Sequence, residues 1–179
     1  MEKKNPFKLD VVSVRLVKDA PVLSKNNLTN PEEVVAELGN IMSQFDREVV
    51  AVVNLKSDLS PINVHFASVG AINEAMAHPR EIMKASILSN AANIMIIHCH
   101  PSGQLLPSKA DTMMTDRMNN ICELLGIPLV DHLIVGGDNK EFFSFKEKGL
   151  IKNPHIVLTT DYRTLSLGTG MVAERGRMP

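Results

Sequence analysis

Apolar and polar positions along the chain alternate between strand-like and helix-like spacing. Val11 to Val17 alternates apolar with polar residues, which is typical of a half-buried strand. The run VVAVVNL at 49–55 and the run from Ile94 to Ile97 are continuously apolar and short, which indicates strands buried on both faces. The pattern predicts further strands at Ile62 to Val69, Pro128 to Val135 and, as a hairpin partner, Glu141 to Phe145.

Three helices are predicted between these strands. Asn30 followed by Pro31 and two glutamates is typical of a helix start, and an apolar stripe continues to Phe45. Pro79 opens a second helix, and a third begins near Ser108 and ends at Gly126. The third helix carries an apolar stripe formed by Met114, Met118, Ile121 and Leu125.

Strands that alternate with helices, with hairpins at both ends, predict the α/β class. We expect one domain with a mixed β-sheet flanked by helices on its faces. The 179 residues are enough for one core, and 44% hydrophobic with 22% charged residues is typical of a globular protein. We divide the chain into an N-terminal strand and loop (1–30), a core domain (31–150) and a C-terminal tail (151–179).

Charge and cysteine content narrow the classes of partner. A net charge of −1 gives no basic excess of the kind that nucleic-acid binding usually requires, so a nucleic-acid partner is possible but unsupported by charge. Two cysteines without a CxxC pair fit a reducing compartment, and the first residues carry no apolar signal segment. No run is long enough to cross a bilayer. We therefore expect a cytoplasmic protein without a membrane partner; its oligomeric state is not predicted.

Candidate chemistry gathers at the end of the strand that begins near Ile94. In a strand, residues two apart face the same side, so His98 and His100 project together while Cys99 points away. Asp111 follows in the first turn of the helix that begins near Ser108. Two imidazoles and a carboxylate suit a metal that keeps one position open for water. A capping box formed by Ser108 and Asp111 explains the same residues equally well.

Two motifs in this stretch resemble a known family. His98-x-His100-Pro101 followed by Ser108-x-x-Asp111 is similar to the signature of the JAMM (MPN+, or JAB) metalloproteases. With the string HPRE at 78–81, the pattern resembles the RadC-like branch of that superfamily, over roughly 9–150. That branch commonly has asparagine between the two histidines, where this chain has Cys99; because this side chain points away, we expect the departure to leave the metal in place.

The resemblance implies a fold and a set of roles. The fold would be the cytidine-deaminase-like α/β sandwich of JAB/MPN domains. His98, His100 and Asp111 would bind Zn²⁺, although residue type alone also allows manganese or iron. Glu48 matches the upstream acid that shuttles protons, and Ser108 matches the serine that stabilises the oxyanion.

Other acids and histidines compete for roles near this site. Glu74 and Glu81 are alternatives to Glu48, but Glu81 follows Pro79 as an ordinary first-turn acid. His78 precedes the same helix, where a local structural role is expected. His132, on an apolar strand, is interpreted as a core histidine or as a support behind the metal ligands.

Three functions remain open from the sequence. The first is a zinc-dependent hydrolase that cleaves a peptide or isopeptide bond in a peptide or protein-conjugate substrate. The second is a DNA-repair or recombination-associated protein, either a metal-dependent nuclease or an accessory factor, as the RadC name suggests. The third is a non-catalytic interaction module, a hypothesis weakened by the complete ligand set.

Overall fold

The structure, a computed structural model, describes residues 13, 15–17, 31–70, 78–136 and 141–151. The predicted N-terminal strand is wrong at its described positions, because residues 13 and 15–17 lie in no strand and Leu16 and Val17 are exposed. The rest of that segment, Glu74, the turn at 137–139 and residues 152–179 lie outside the described residues. The proposed division at residues 30 and 151 therefore stays a prediction.

A five-stranded mixed sheet with the order β2-β1-β3-β4-β5 forms the centre of the domain. The central strand β3 pairs antiparallel with β1 and parallel with β4, while β1–β2 and β4–β5 are antiparallel pairs. The predicted mixed sheet of a single α/β domain is confirmed, and it is consistent with the JAB/MPN fold. The strands are β1 (Val49–Leu55), β2 (Pro61–Val69), β3 (Asn93–His100), β4 (Leu129–Gly136) and β5 (Phe142–Ser144).

Each face of the sheet is covered by helical segments, because the central strands are apolar on both sides. All seven residues of β1 are buried, as the continuous run predicted. Val49, Ala51 and Val53 pack with Leu38 and other residues of the first helical segment. Alternate residues face the opposite way, where Val50 and Val52 pack with Ile82 and Met118 of the two later helices.

The helices begin where the sequence signals predicted. The first segment runs through α1 (Pro31–Val34), a π-helical turn (Val35–Gly39) and α2 (Asn40–Met42). The later helices are α3 (Pro79–Leu88) and α4 (Lys109–Leu125). Gly126 ends α4 with a positive φ of 65°, the left-handed geometry that glycine adopts without strain. Among the described residues, no helix has the length and apolar character needed to cross a membrane.

The buried face of α4 differs from the predicted methionine stripe. Leu125 is 46% exposed, whereas Met118 is fully buried and Met114 and Ile121 are partly buried. The residues that α4 turns inward are Asp111, Thr115, Met118 and Cys122, at spacings of four, three and four. The inward face therefore carries polar side chains at its N-terminal end, beside the two histidines of β3.

Candidate metal centre

The antiparallel pairing of β1 with β3 brings the predicted site together. Val50 lies opposite His98, so the start of β1 is beside the end of β3. Glu48, immediately before β1, lies on the same face as Val50 and has its Oε2 3.6 Å from the Nε2 of His98. A separation of fifty residues in sequence thus becomes a contact at one end of the sheet.

His100 has a defined tautomer. Its Nδ1 lies 2.6 Å from the main-chain oxygen of Gln104, in the loop that follows β3. A carbonyl oxygen can only accept, so Nδ1 carries a proton, and in the neutral ring Nε2 carries a lone pair. The Nε2 lies 3.7 Å from Oδ2 of Asp111. This is the form of histidine that binds a metal through Nε2 while the other nitrogen is anchored.

His98 lies between two carboxylates. Its Nδ1 is 2.9 Å from Oδ1 of Asp111, and its Nε2 faces Glu48. The side chain of His98 is only 3% exposed, yet neither ring nitrogen makes a hydrogen bond of acceptable geometry with the described residues. Buried polar atoms are almost always satisfied, so one ring nitrogen of His98 is available to a ligand that the described residues do not supply.

Asp111 is held by the cap of α4. The hydroxyl and the main-chain N–H of Ser108 both donate to its Oδ2, and the Asp111 N–H donates back to the Ser108 hydroxyl. Burial opposes ionisation, but the adjacent His98 imidazole and the Ser108 hydrogen bonds outweigh it and hold the pKa of Asp111 well below its usual range. Asp111 is therefore an ionised, buried carboxylate directed at the two imidazoles.

These side chains fit a metal cation. One ligand atom each from Glu48, His98 and His100 lies within 4.8 Å of the others. This close group contains Glu48 in place of Asp111, the predicted third ligand, whose two oxygens lie near His98 Nδ1 and His100 Nε2. Imidazole nitrogens and carboxylate oxygens form the donor set that zinc commonly takes. A bound cation would also satisfy one of the two buried ring nitrogens of His98, and the other could donate to the carboxylate beside it.

Ser108 lies at the site in a role that the sequence left open. It is the N-cap of α4 in a complete capping box, and its hydroxyl proton is directed at Asp111. The capping and ligand interpretations of this motif are thus compatible, because Ser108 caps the helix and holds Asp111 at once. A role at an oxyanion requires the same hydroxyl to turn toward substrate and stays a prediction.

The loop after β3 approaches the end of β4 closely. A Cβ built on Gly136 would lie 3.2 Å from the Cα of Gly103, tighter than most real contacts. Gly103 belongs to the turn that leads to Gln104, whose carbonyl anchors His100. The missing side chain at Gly136 therefore allows the loop to reach the position that fixes His100.

The other acid and histidine that the sequence offered near the site have local roles on α3. Glu81 forms an ion pair with Lys84 on α3, as expected of a first-turn acid. His78 is the N-cap of α3, and its Nδ1 accepts from the Arg80 N–H at 3.3 Å. The ion pairs that Glu81 forms with Arg80 and Lys84 are exposed on α3.

The structure adds Thr115, which the sequence did not connect to the site, and places it between Asp111 and His132. Thr115 contacts both Asp111 and His132, whose ring lies parallel to that of His98. Complete burial and the nearby His98 lower the pKa of His132 to about 3, so this ring is neutral. The spacing of four residues places Asp111 and Thr115 on the same face of a helix, and this could be seen in the sequence. Only the fold shows that Thr115 faces His132 on β4.

Comparisons with known proteins agree with this architecture. A family model described as RadC-like JAB domain matches residues 28–150. The chain is similar to UPF0758 proteins of Clostridium beijerinckii (39% identity over 69% of this chain and 53% of the relative) and Moorella thermoacetica (39% over 72% and 56%). It is also similar to the UPF0758 protein of Thermotoga maritima (38% over 60% and 48%). The chain thus spans about half the length of the curated relatives it matches. The resemblance inferred from the two motifs is confirmed, and this chain belongs to the RadC-like JAB domain family.

Proposed function

We propose that this domain is a zinc-dependent hydrolase of the JAMM type, which cleaves a peptide or isopeptide bond. The observation that carries the proposal is the pair of buried, unsatisfied nitrogens of His98, with a carboxylate on either side. In this proposal His98, His100 and Asp111 hold the metal, and Glu48 moves protons.

The ligand roles are supported by how each side chain is fixed. Gln104 holds the Nδ1 proton of His100 and leaves its Nε2 free to bind. Ser108 holds Oδ2 of Asp111, so that Oδ1 faces His98. Because both groups are oriented before any ligand arrives, little conformational freedom is lost when an ion binds.

Glu48 has the position that a proton carrier needs. Its side chain is 21% exposed, whereas those of His98 and Asp111 are almost fully buried. Among the two histidines and two carboxylates of the site, the side chain of Glu48 is thus the one most open to a water molecule and a substrate. A carboxylate at the edge of the ligand set can accept a proton and later deliver it.

The reaction can be written in terms of these residues. Zn²⁺ bound by the histidines and Asp111 would lower the pKa of a water to about 7 and polarise the scissile carbonyl. Glu48 takes a proton from the attacking water while the oxygen of that water forms a bond to the carbonyl carbon. Glu48 then delivers that proton to the leaving nitrogen as the C–N bond breaks, which yields a carboxylic acid and an amine.

Metal analysis of purified protein tests these assignments. We expect wild type to hold about one zinc per chain, as a single mononuclear site requires. His100→Ala should lose this zinc, whereas Glu48→Gln should keep it and lose cleavage of peptide and isopeptide conjugates. His78→Ala is the matched control, because it removes an imidazole that only caps α3, and it should keep both zinc and activity.

Three results would contradict the proposal in different places. Loss of zinc from Glu48→Gln would make Glu48 a ligand, in keeping with its place in the close group of donors. A wild-type protein that neither holds nor acquires zinc would refute the metal site. Wild type that holds zinc but cleaves no member of a broad amide library would favour the non-catalytic interaction module.

A further inference from the structure

A buried stack of three rings lies behind the candidate metal centre. His132 of β4 is fully buried, and its ring is parallel within 9° to that of His98, at 6.2 Å between centroids. His132 also stacks on Phe145, with the ring centroids 4.9 Å apart and the ring planes within 3° of parallel. Both separations fall in the range in which aromatic rings attract one another.

One hydroxyl fixes the tautomer of His132. The Thr115 hydroxyl donates to the main-chain oxygen of Asp111 at 2.7 Å, and its oxygen lies 2.7 Å from Nδ1 of His132. A hydroxyl has a single proton, and the carbonyl oxygen can only accept it. Nδ1 of His132 must therefore donate to Thr115, and Nε2 carries the lone pair. Among the described residues, this buried Nε2 has no hydrogen-bond partner.

The same hydroxyl connects His132 to the helix that carries Asp111. Thr115 lies one turn after Asp111, so its hydrogen bond fixes the first turn of α4 at the carbonyl of that residue. The helix start is thus tied to β4 by a chain of two hydrogen bonds, while the His132 ring packs parallel to His98 on β3.

The far end of the ring stack is also fixed. The carboxylate of Asp131 accepts hydrogen bonds from the Ser144 hydroxyl at 2.6 Å and from the Lys146 N–H at 3.0 Å. These two residues flank Phe145, whose own N–H donates to the His132 carbonyl at 3.1 Å. Phe145 is therefore held against His132 from both sides.

We infer that Thr115 and His132 are positioning residues for the metal centre, through which α4 sets the place of Asp111 and the ring stack sets the plane of His98. This inference rests on the proposed function, because it assigns the two residues a task toward the same ion. It goes beyond a general role in stability, since Thr115 and His132 each connect to a different ligand. Neither residue belongs to the candidate ligand set, so each would act on the ion through another residue.

The first measurement is zinc affinity, by competition with a chelating dye, for paired variants. Thr115→Val keeps the shape of the side chain and removes the hydroxyl, and residues that orient metal ligands typically contribute about 10- to 100-fold in affinity. We expect the zinc Kd to rise within that range. Thr115→Ser, which restores the hydroxyl, should bind zinc nearly as tightly as wild type.

Thr112→Val is the matched control. Thr112 makes the same kind of hydrogen bond one turn back, from its hydroxyl to the Ser108 carbonyl at 3.0 Å, but it is exposed and has no contact with His132. Its loss should cost less stability than Thr115→Val, which leaves the buried Nδ1–H of His132 without its acceptor, and it should leave the zinc Kd unchanged. The absorption spectrum of the cobalt-substituted protein should change for Thr115→Val and stay unchanged for Thr112→Val.

A second measurement does not need the metal. Nitrogen-15 NMR of the histidine rings in metal-free protein should show Nδ1 of His132 protonated and Nε2 unprotonated. The opposite tautomer would overturn the inference, as would a Thr115→Val protein with wild-type zinc affinity and cobalt spectrum. A wild-type protein that binds no zinc would instead refute the proposed function, and the inference would fall with it.

Discussion

Ser108 directs two donors at a single oxygen of Asp111: its hydroxyl and its main-chain N–H both donate to Oδ2, at 2.6 and 2.7 Å. The other oxygen, Oδ1, is left to face His98. A motif that reads as a helix cap in sequence thus sets the orientation of a buried carboxylate. The capping interpretation of this motif and its interpretation as a source of a metal ligand are therefore compatible.

Replacement of Ser108 by alanine should therefore have two effects. Loss of the cap is expected to lower the free energy of unfolding by about 1 kcal/mol. Loss of the hydroxyl should also weaken zinc binding, because Oδ2 of Asp111 loses one of its two donors. Urea denaturation and zinc titration measure the two effects. Ser102→Ala is the control, since exposed Ser102 only accepts a 3.4 Å contact from the Gln104 N–H; an equal effect from both variants would contradict this prediction.

A methyl group at Gly136 should disturb the site from β4, the strand that pairs with β3. In Gly136→Ala the new Cβ would press on the main chain of Gly103, which must shift and carry the Gln104 carbonyl away from His100. We expect weaker zinc binding and a lower melting temperature.

Gly126→Ala separates these two effects. Gly126 has a positive φ and open space around it, so alanine there should cost about 1–2 kcal/mol of stability without a contact to the site. Zinc affinity unchanged in both variants would show that the loop can move without consequence for His100.

Acid should destabilise the metal-free protein through His132. Its pKa is lowered to about 3 by burial and by the nearby His98, whereas in the unfolded chain it returns to about 6.5. Between these values the unfolded state binds a proton that the native state does not, so stability is present above pH 6.5 and is lost as pH falls toward 3. One such group contributes a slope of at most about 1.4 kcal/mol per pH unit.

The variant His132→Asn isolates this contribution. Asparagine keeps a donor for Thr115 but does not titrate, so the free energy of unfolding should fall less steeply between pH 6.5 and 4 than in wild type. Denaturation at several pH values, with a chelator present, measures both slopes. Parallel curves for the two proteins would contradict a neutral His132.

Both cysteines should resist alkylation in the native protein. Burial raises the pKa of Cys122 to about 12 and that of Cys99 to about 11, and neither side chain is exposed. The thiolate is the reactive form, so both are inert at pH 8. Mass spectrometry after iodoacetamide treatment should find both unmodified without denaturant and both modified in urea. Fast native labelling of Cys99 would mean that β3 opens beside its histidines.

The features that could be predicted from the sequence are those that depend on local pattern and turn chemistry. The apolar runs of β1 and β3, the alternation that separates His98 from Cys99, and the cap at Ser108 are each set by neighbours in sequence, and the structure has them. The buried face of α4 was misjudged at Leu125, because periodicity shows the spacing of a stripe but not how far the sheet extends beneath it.

Contacts between segments that are far apart in the chain could not be predicted from the sequence. The bond from His132 to Thr115 requires the register of β4 against β3 and the rotation of α4 together. The approach of Gly136 to Gly103 depends on where the loop after β3 lies. Both follow from packing between segments far apart in the chain, which no local pattern encodes.

The antiparallel pairing of β1 with β3 also has a consequence for the unfolded chain. Glu48 and His98 meet only when β1 and β3, which are separated by about forty residues, have paired, and this pairing requires a long loop to close. α4 must then dock to bring in Asp111. A chain in which these strands have not paired therefore carries the residues of the candidate centre without the centre itself.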